Sequence, residues 1–290
     1  MSSDETTVSG AEDRLAGVEP VPAVSKPDPI LVADGMRRAF GGLTAVDVEH
    51  LEVQRGTITA LIGPNGAGKS TLFNLLTGFD HVDRGRWSFD GRAIHGRRGH
   101  QVARSGMVRT FQLTKALTRM SVLDNMLLGA QRQYGERMAG ALWRPGWRKQ
   151  EAANTDRAMA LLERFRLADK RDDMAGSLSG GQRKLLEMAR SLMTEPSMIM
   201  LDEPMAGVNP ALVQSLLSHI TSLRDEGRTV LFVEHDMDVI MGISDWIVVL
   251  AQGRVIAEGR PSDIKSDKRV IDAYLGAQED ETEVREGDDG

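Results

Sequence analysis

Two short stretches carry residue types that do chemistry on phosphate. The first, GPNGAGKST, runs through Gly63, Pro64, Asn65, Gly66, Ala67, Gly68, Lys69, Ser70 and Thr71 and fits the pattern G-x-x-x-x-G-K-[ST]. Its glycines let the backbone wrap an anion, its lysine reaches β- and γ-phosphates, and the Ser70 hydroxyl suits Mg²⁺. The second, MIMLDE, sets Asp202 and Glu203 behind four apolar residues. Asp202 suits a Mg²⁺ held through water, and Glu203, one residue further out, suits a base that orients and deprotonates an attacking water. Alone, an acidic pair behind a strand more often marks a turn or cap. Beside GPNGAGKST the chemical reading takes precedence.

Three further features sit around this pair. LSGGQRKLLEMARSLM, Leu178 to Met193, opens with a turn (Ser179, Gly180, Gly181, Gln182) that leads straight into an amphipathic helix. Such a start presents free N–H groups and the positive end of the helix dipole, which attract an anion. His235 ends the apolar run TVLFVE, where it can reach a γ-phosphate or a water, while the other five histidines lack that position. Gln112 in VRTFQ has an amide that can reach a metal or water, although the sequence pattern alone marks it as an ordinary polar residue. Phe40 in RRAFGG offers a ring for adenine, although at this level a core contact is the more ordinary explanation of an aromatic.

Positioning these groups requires strands and helices in alternation. TITALIG reads as a strand entering the glycine-rich loop, and KSTLFNLLTG as the helix leaving it, closed at Gly78. SMIMLDEP and TVLFVEHD read as two more apolar strands with polar ends, which is where open α/β sheets bind ligands. A helix capped by Asn209, with Pro210 in its first turn, ends at Gly227. From about 113 to 177 strand-like runs are scarce, and the spacing predicts an inserted helical subdomain. Ser121 and Asp124 give it a capping signal, and WRPGW (Trp143 to Trp147) is expected to be an internal loop.

Composition narrows the class. The chain has 290 residues, 41% of them apolar, and no cysteine, so disulfides and thiolate metal sites are excluded. No apolar run approaches the roughly 18 residues that cross a bilayer. The start, MSSDETTVSG, lacks the pattern of a secretory signal, so a cytosolic setting is expected. The net charge of -6 is uneven: residues 279–290 alone carry -6 and residues 1–28 carry -4, leaving a mildly positive body. Both ends, 1–28 and 279–290, read as disordered tails around one folded domain at 29–278.

Taken in order, GPNGAGKST, FQ, LSGGQ, LDEP and EHD resemble the ATP-binding-cassette (ABC) family, over about Ile30 to Gly276. FGGLTAV (Phe40 to Val46), VRTFQLTKAL (Val108 to Leu117), SVLDNMLLGA (Ser121 to Ala130), DEPMAGVNP (Asp202 to Pro210) and the stretch from VIAEGRPSDI to VIDAYLG (Val255 to Gly276) are similar to the ATPase subunits of branched-chain amino acid importers. The resemblance implies an α/β P-loop NTPase core of ABC type, with an N-terminal antiparallel β subdomain and the inserted helical subdomain. It implies ATP and Mg²⁺, with Ser70, Gln112 and Asp202 toward the metal and Phe40 stacked on adenine. Glu203 corresponds to the catalytic base, His235 to a switch histidine, and Gln112 to the residue coupling to the membrane subunit, whose helix Leu113 to about Met126 would receive. Ser179 to Gln182 would hold ATP bound to an opposing chain, so a second ATPase subunit is implied, a different chain being favoured over an identical one. Two polytopic permeases and, indirectly, an extracytoplasmic solute-binding protein complete the expected partners, at the cytoplasmic face of the membrane. After LDEP this chain has Met205 to Asn209 where most cassettes carry a Ser-Ala-Leu-Asp-like loop, which leaves that aspartate's contact across a dimer without a counterpart. Two other readings share many of these motifs: a soluble cassette protein not linked to transport, and the same subunit type serving urea, amides or aromatic acids. The first lacks support in a paired cassette, a sustained heptad or the basic patch nucleic acid requires.

Overall fold

The computed structural model describes residue 10 and residues 14–110, 118–130 and 144–275. In chain order the elements are β1 (Pro29–Phe40), β2 (Leu43–Gln54), β3 (Ile58–Ile62), α1 (Lys69–Leu76), β4 (Arg84–Phe89), β5 (Arg92–Ala93), α2 (Gly99–Arg104) and β6 (Met107–Arg109). They continue as α3 (Val122–Leu128), α4 (Arg144–Arg164), α5 (Gly180–Leu192), β7 (Met198–Asp202), α6 (Pro210–Asp225), β8 (Thr229–Val233), α7 (Met237–Ile243), β9 (Trp246–Ala251), β10 (Arg254–Gly259) and α8 (Pro261–Lys265). The chain divides into two compact units, one formed by residues 1–99 with 220–290 and the other by residues 100–219.

The first unit holds two groups of strands. β2, β1, β4 and β5 form an antiparallel sheet in that order. β3 lies between β8 and β9, parallel to both, and β10 closes the far side antiparallel to β9. Every residue of β3 and β8 is buried, as are the first five of β9. That explains why ITALI, TVLFV and WIVVL are continuous apolar runs, the signature of parallel strands covered on both faces.

Residues 14–28 correct the expectation of a disordered start. Leu15 is 1% exposed and its carbonyl accepts from Arg260. The Lys26 ammonium donates to Glu258 at 2.7 Å, while the Lys26 N–H donates to Glu52 at 2.5 Å. Glu258 also accepts from the Trp246 indole at 2.9 Å and the Val24 N–H at 3.1 Å. Polar composition suggested a solvated tail, but these charges find partners more than two hundred residues away. The acidic segment 279–290 lies outside the described residues.

The second unit pairs β6 with β7 in parallel and surrounds them with helices. Between 113 and 177 the described residues form helices and turns, with a single isolated bridge, Ser121 to Met174. Ser121 caps α3, accepting the Asp124 N–H at 3.0 Å. WRPGW is not the expected loop: α4 begins at Arg144 and includes Pro145. Proline fits a first helical turn because the N–H it lacks would be unpaired there anyway. α5 buries Leu185, Leu186, Met188, Ala189 and Leu192 along one stripe, as its pattern required.

Candidate functional site

In the first unit β3 delivers the chain into the glycine-rich loop, and three of its glycines have positive φ: Gly63 at 149°, Gly66 at 74° and Gly68 at 99°. Two of them are fixed by space as well. A Cβ on Gly63 would stand 2.0 Å from the Leu250 carbonyl oxygen, and one on Gly68 2.2 Å from that of Ala45. Any other residue at either position would push the loop off its neighbouring strands. Gly68 caps α1 with no side chain, leaving the N–H groups of the first turn toward the loop.

Lys69 is 6% exposed and donates to the carbonyls of Gly63 at 2.7 Å and Pro64 at 2.9 Å. The ammonium thus sits inside the loop it would share with a phosphate, held by neutral acceptors that a γ-phosphate outcompetes electrostatically. Ser70, next along α1, is exposed. The Gly63 N–H is bonded to the phenol of Tyr274, whose burial raises its pKa against the opposing pull of that bond. Nothing in the sequence marked Tyr274 for this position.

β8 carries His235 to the same end of the strands. Leu61 and Val233 are partners in the parallel register, and Gly63 and His235 each follow two residues later. His235 is exposed and precedes Asp236, which caps α7 by accepting from Asp238 and Val239. Phe40, at the turn from β1 to β2, is 48% exposed, which removes the core-contact reading. The Arg38 guanidinium lies 4.5 Å from its ring centroid and is itself bound by Asp80 and Asp83. One face of the ring is therefore taken by a fixed cation.

In the second unit β7 ends at Asp202. Its Oδ2 accepts from Arg109, at the end of the neighbouring β6, at 2.5 Å. Glu203 follows with φ 47°, a left-handed conformation that is costly for a side chain of this type and is found where a site over-determines the backbone. The Lys184 ammonium donates to the Glu203 carbonyl at 3.0 Å, tying the acidic turn to α5. Arg109 stands three residues before Gln112 and Lys184 two after Gln182, so both were visible only as neighbours of motif residues.

The Ser179 turn is a complete capping box. The Gln182 N–H donates to the Ser179 hydroxyl at 3.3 Å, and the Gln182 amide oxygen accepts the Ser179 N–H at 3.0 Å. Because the hydroxyl accepts in this box, its own proton stays available to a ligand. Gly181 is buried, and a Cβ there would meet Leu212 Cδ2 at 1.8 Å, whereas Gly180 has only the Gly207 carbonyl oxygen, at 3.9 Å. The two adjacent glycines therefore differ: packing against Leu212 confines Gly181, while Gly180 has open space around it. Gln112 lies outside the described residues, as does Leu113, with which the expected receiving face begins.

Among the described residues no group of three or more His, Cys, Asp or Glu side chains could hold a metal ion. No described helix is long and apolar enough to cross a membrane.

Residues 46–206 match the family model described as ABC transporter, and residues 254–280 match that of the branched-chain amino acid ATP-binding cassette transporter. The high-affinity branched-chain amino acid transport ATP-binding protein BraF of Pseudomonas aeruginosa is 43% identical over 250 residues, 86% of this chain and 98% of its own. The probable branched-chain amino acid transport ATP-binding protein LivG of Archaeoglobus fulgidus is 41% identical over 254 residues, 88% of this chain and 98% of its own. Among solved structures, a nucleotide-free ATP-binding cassette from an ABC transporter superposes with a TM-score of 0.75 at 38% identity, covering 85% of this chain and 98% of that one. A cassette in its ADP conformation gives 0.74 at 36% identity, covering 86% and 99%.

Proposed function

The chain belongs to the ABC transporter family as an ATP-binding subunit, and on that premise we infer that it hydrolyses ATP to energise an importer of branched-chain amino acids. The observation that carries the solute class is the match of residues 254–280 to the branched-chain family, together with relatives of that name matched over 98% of their length.

The roles of individual residues follow from their chemistry. Backbone N–H groups from Gly66 to Ser70 cradle the phosphates, and Lys69 exchanges the Gly63 and Pro64 carbonyls for β- and γ-oxygens, neutralising charge as it builds. Ser70, Gln112 and Asp202 would hold Mg²⁺, which supplies further charge neutralisation on the phosphates. For Asp202 this means releasing Arg109. Phe40 offers its remaining face to adenine. Glu203 takes a proton from the attacking water as the bond to the γ-phosphorus forms and the bond to the β-γ bridging oxygen breaks. ADP and phosphate are the products. His235 holds the γ-phosphate or the water in line. Ser179 to Gln182 complete the shell of ATP bound to an opposing cassette, so hydrolysis requires two cassettes, the second of them a different chain on this reading. Permease subunits receive the resulting motion, which places the protein peripherally at the cytoplasmic face of the membrane, with the solute-binding protein coupled indirectly.

Reconstitution with its permeases, partner cassette and binding protein tests this reading. Proteoliposomes containing ATP take up labelled leucine, isoleucine or valine, while Glu203→Gln retains ATP binding and loses about 10²-fold or more of hydrolysis and uptake. Intact hydrolysis with none of the three solutes transported overturns the solute class. A Glu203→Gln protein hydrolysing at the normal rate overturns the base.

A further inference from the structure

A second anion-attracting surface lies away from the glycine-rich loop, on the outer face of the antiparallel sheet. Asp47, Arg37 and Arg84 stand in one row across β2, β1 and β4, with His50, Asp34 and Arg86 in the next. A cleft of about 600 Å³ opens over the first row, between these strands, Arg254 of β10, and Pro22 and Ala23 of the ordered amino-terminal segment. Arg37 and Arg84 are direct cross-strand neighbours, an arrangement that repels unless an anion lies between. Asp47, in register with Arg37, is engaged by Arg254 instead, at 2.8 Å and 3.1 Å. Neither Arg37 nor Arg84 forms a direct ion pair among the described residues, although Arg37 acts at longer range on the Asp83 carboxylate and Glu49 joins Asp47 in lining the cleft. Arg86 comes only within 3.8 Å of a carboxylate and is 78% exposed. The backbone around the cleft is irregular too: β1 shifts register between Asp34 and Arg37, and Ala23 in the wall has φ 62°. Bulges and strained non-glycine residues cluster where a surface is shaped for a ligand.

We propose that this cleft is the docking site of the chain's own acidic carboxyl-terminal segment, Glu279 to Asp289. That segment carries seven acids and one arginine, a charge of -6, whereas residues 29–278 carry +4. It also leaves from the right place. Tyr274, one residue before the last described position, is bonded to Gly63. From that loop two backbone bonds lead to the cleft: the Gly253 N–H donates to Ala67 at 3.0 Å, and the Asp47 N–H donates to Gly253 at 2.8 Å. The fifteen residues that follow Leu275 can span about 50 Å when extended, so the cleft is well inside their reach. Tethering gives the segment an effective concentration in the millimolar range, against which a free anion must compete.

The absence of cysteine makes the test direct. Nitroxides on Glu49→Cys and Gly287→Cys in the full chain report the separation of cleft and tail by pulsed dipolar spectroscopy. A short-distance population at low ionic strength is expected, lost near 1 M salt, where the screening length is about 3 Å. It is also lost when Arg37→Gln and Arg84→Gln are combined, and when Glu279, Asp280, Glu281 and Glu283 are made amides. Neutralising the tail leaves the folded body untouched, so loss there is not misfolding. A distance distribution indifferent to salt and to both sets of changes overturns the proposal. So does a remote tail in a Lys69→Ala background where inorganic pyrophosphate binds and the arginine changes abolish that binding, since the cleft would then serve a soluble anion.

Discussion

Glu187 lies on α5, the helix that follows the Ser179 turn, and is 6% exposed, with its Oε1 lacking a hydrogen-bond partner. Burial pushes its carboxyl up from an ordinary 4.5 to about 7, against the opposing pull of Lys184 and Arg190, three residues either side. At about 1.4 kcal/mol per pH unit, that difference amounts to about 3 kcal/mol of folding stability. The sign follows from proton counting. Between the two values the folded chain still holds a proton that the unfolded chain has lost, so the contribution is complete below about pH 4.5 and disappears as pH rises to about 7. Glu187→Gln keeps the shape and removes the titration. Urea unfolding of both proteins from pH 4.5 to 8 is expected to give curves that agree at the acid end and diverge by about 3 kcal/mol in favour of the variant by pH 8. Every other titrating group is common to the two proteins and cancels in the difference. Parallel curves across that range would refute the reasoning.

Breaking the buried pair with Lys26→Met is expected to cost about 3 kcal/mol, because Glu258 keeps only the Trp246 and Val24 donors. Combining it with Glu258→Gln recovers most of that, and thermal unfolding of the single and double variants measures the coupling; two independent losses that simply add would contradict it. Gly181→Ala lowers stability by about 1 kcal/mol through Leu212, whereas Gly180→Ala leaves unfolding unchanged, yet both reduce ATP hydrolysis. Denaturation and turnover assays run in parallel separate packing from approach. Phe40→Ala weakens ATP binding about tenfold through lost stacking but leaves the affinity for inorganic pyrophosphate as it was, which calorimetry with the two ligands checks.

What could be read from sequence and what could not divide along contact distance. GPNGAGKST, the β7 acids and the Ser179 turn are local patterns whose backbone requirements are written in consecutive residues, so the loop, the strand end and the helix start were all legible. The two acids' surroundings were not: Arg109 reaches Asp202 from 93 residues away, and Lys184 reaches the Glu203 carbonyl from another helix. Residues 14–28 were misread for the same reason. A lone Lys26 in a polar, proline-containing run looks solvated until Glu258, 232 residues later, is folded beside it. WRPGW failed differently, because proline and glycine punctuate turns and also begin helices, and only the helical pattern that follows decides between them. Phe40 was visible as an aromatic, but its cation partner is set by Asp80 and Asp83, which leave no signature in RRAFGG.

The reciprocal bonds between Ser179 and Gln182 have a kinetic corollary. A turn whose donors are already aimed has no loop to freeze when a phosphate arrives, so its ordering entropy was spent during folding and does not weaken the encounter. On the proposed pairing of two cassettes, association with an opposing nucleotide face is then limited by orientation rather than by rearrangement. Differences in strength between variants of this turn should accordingly appear in how long the closed state lasts, not in how fast it forms.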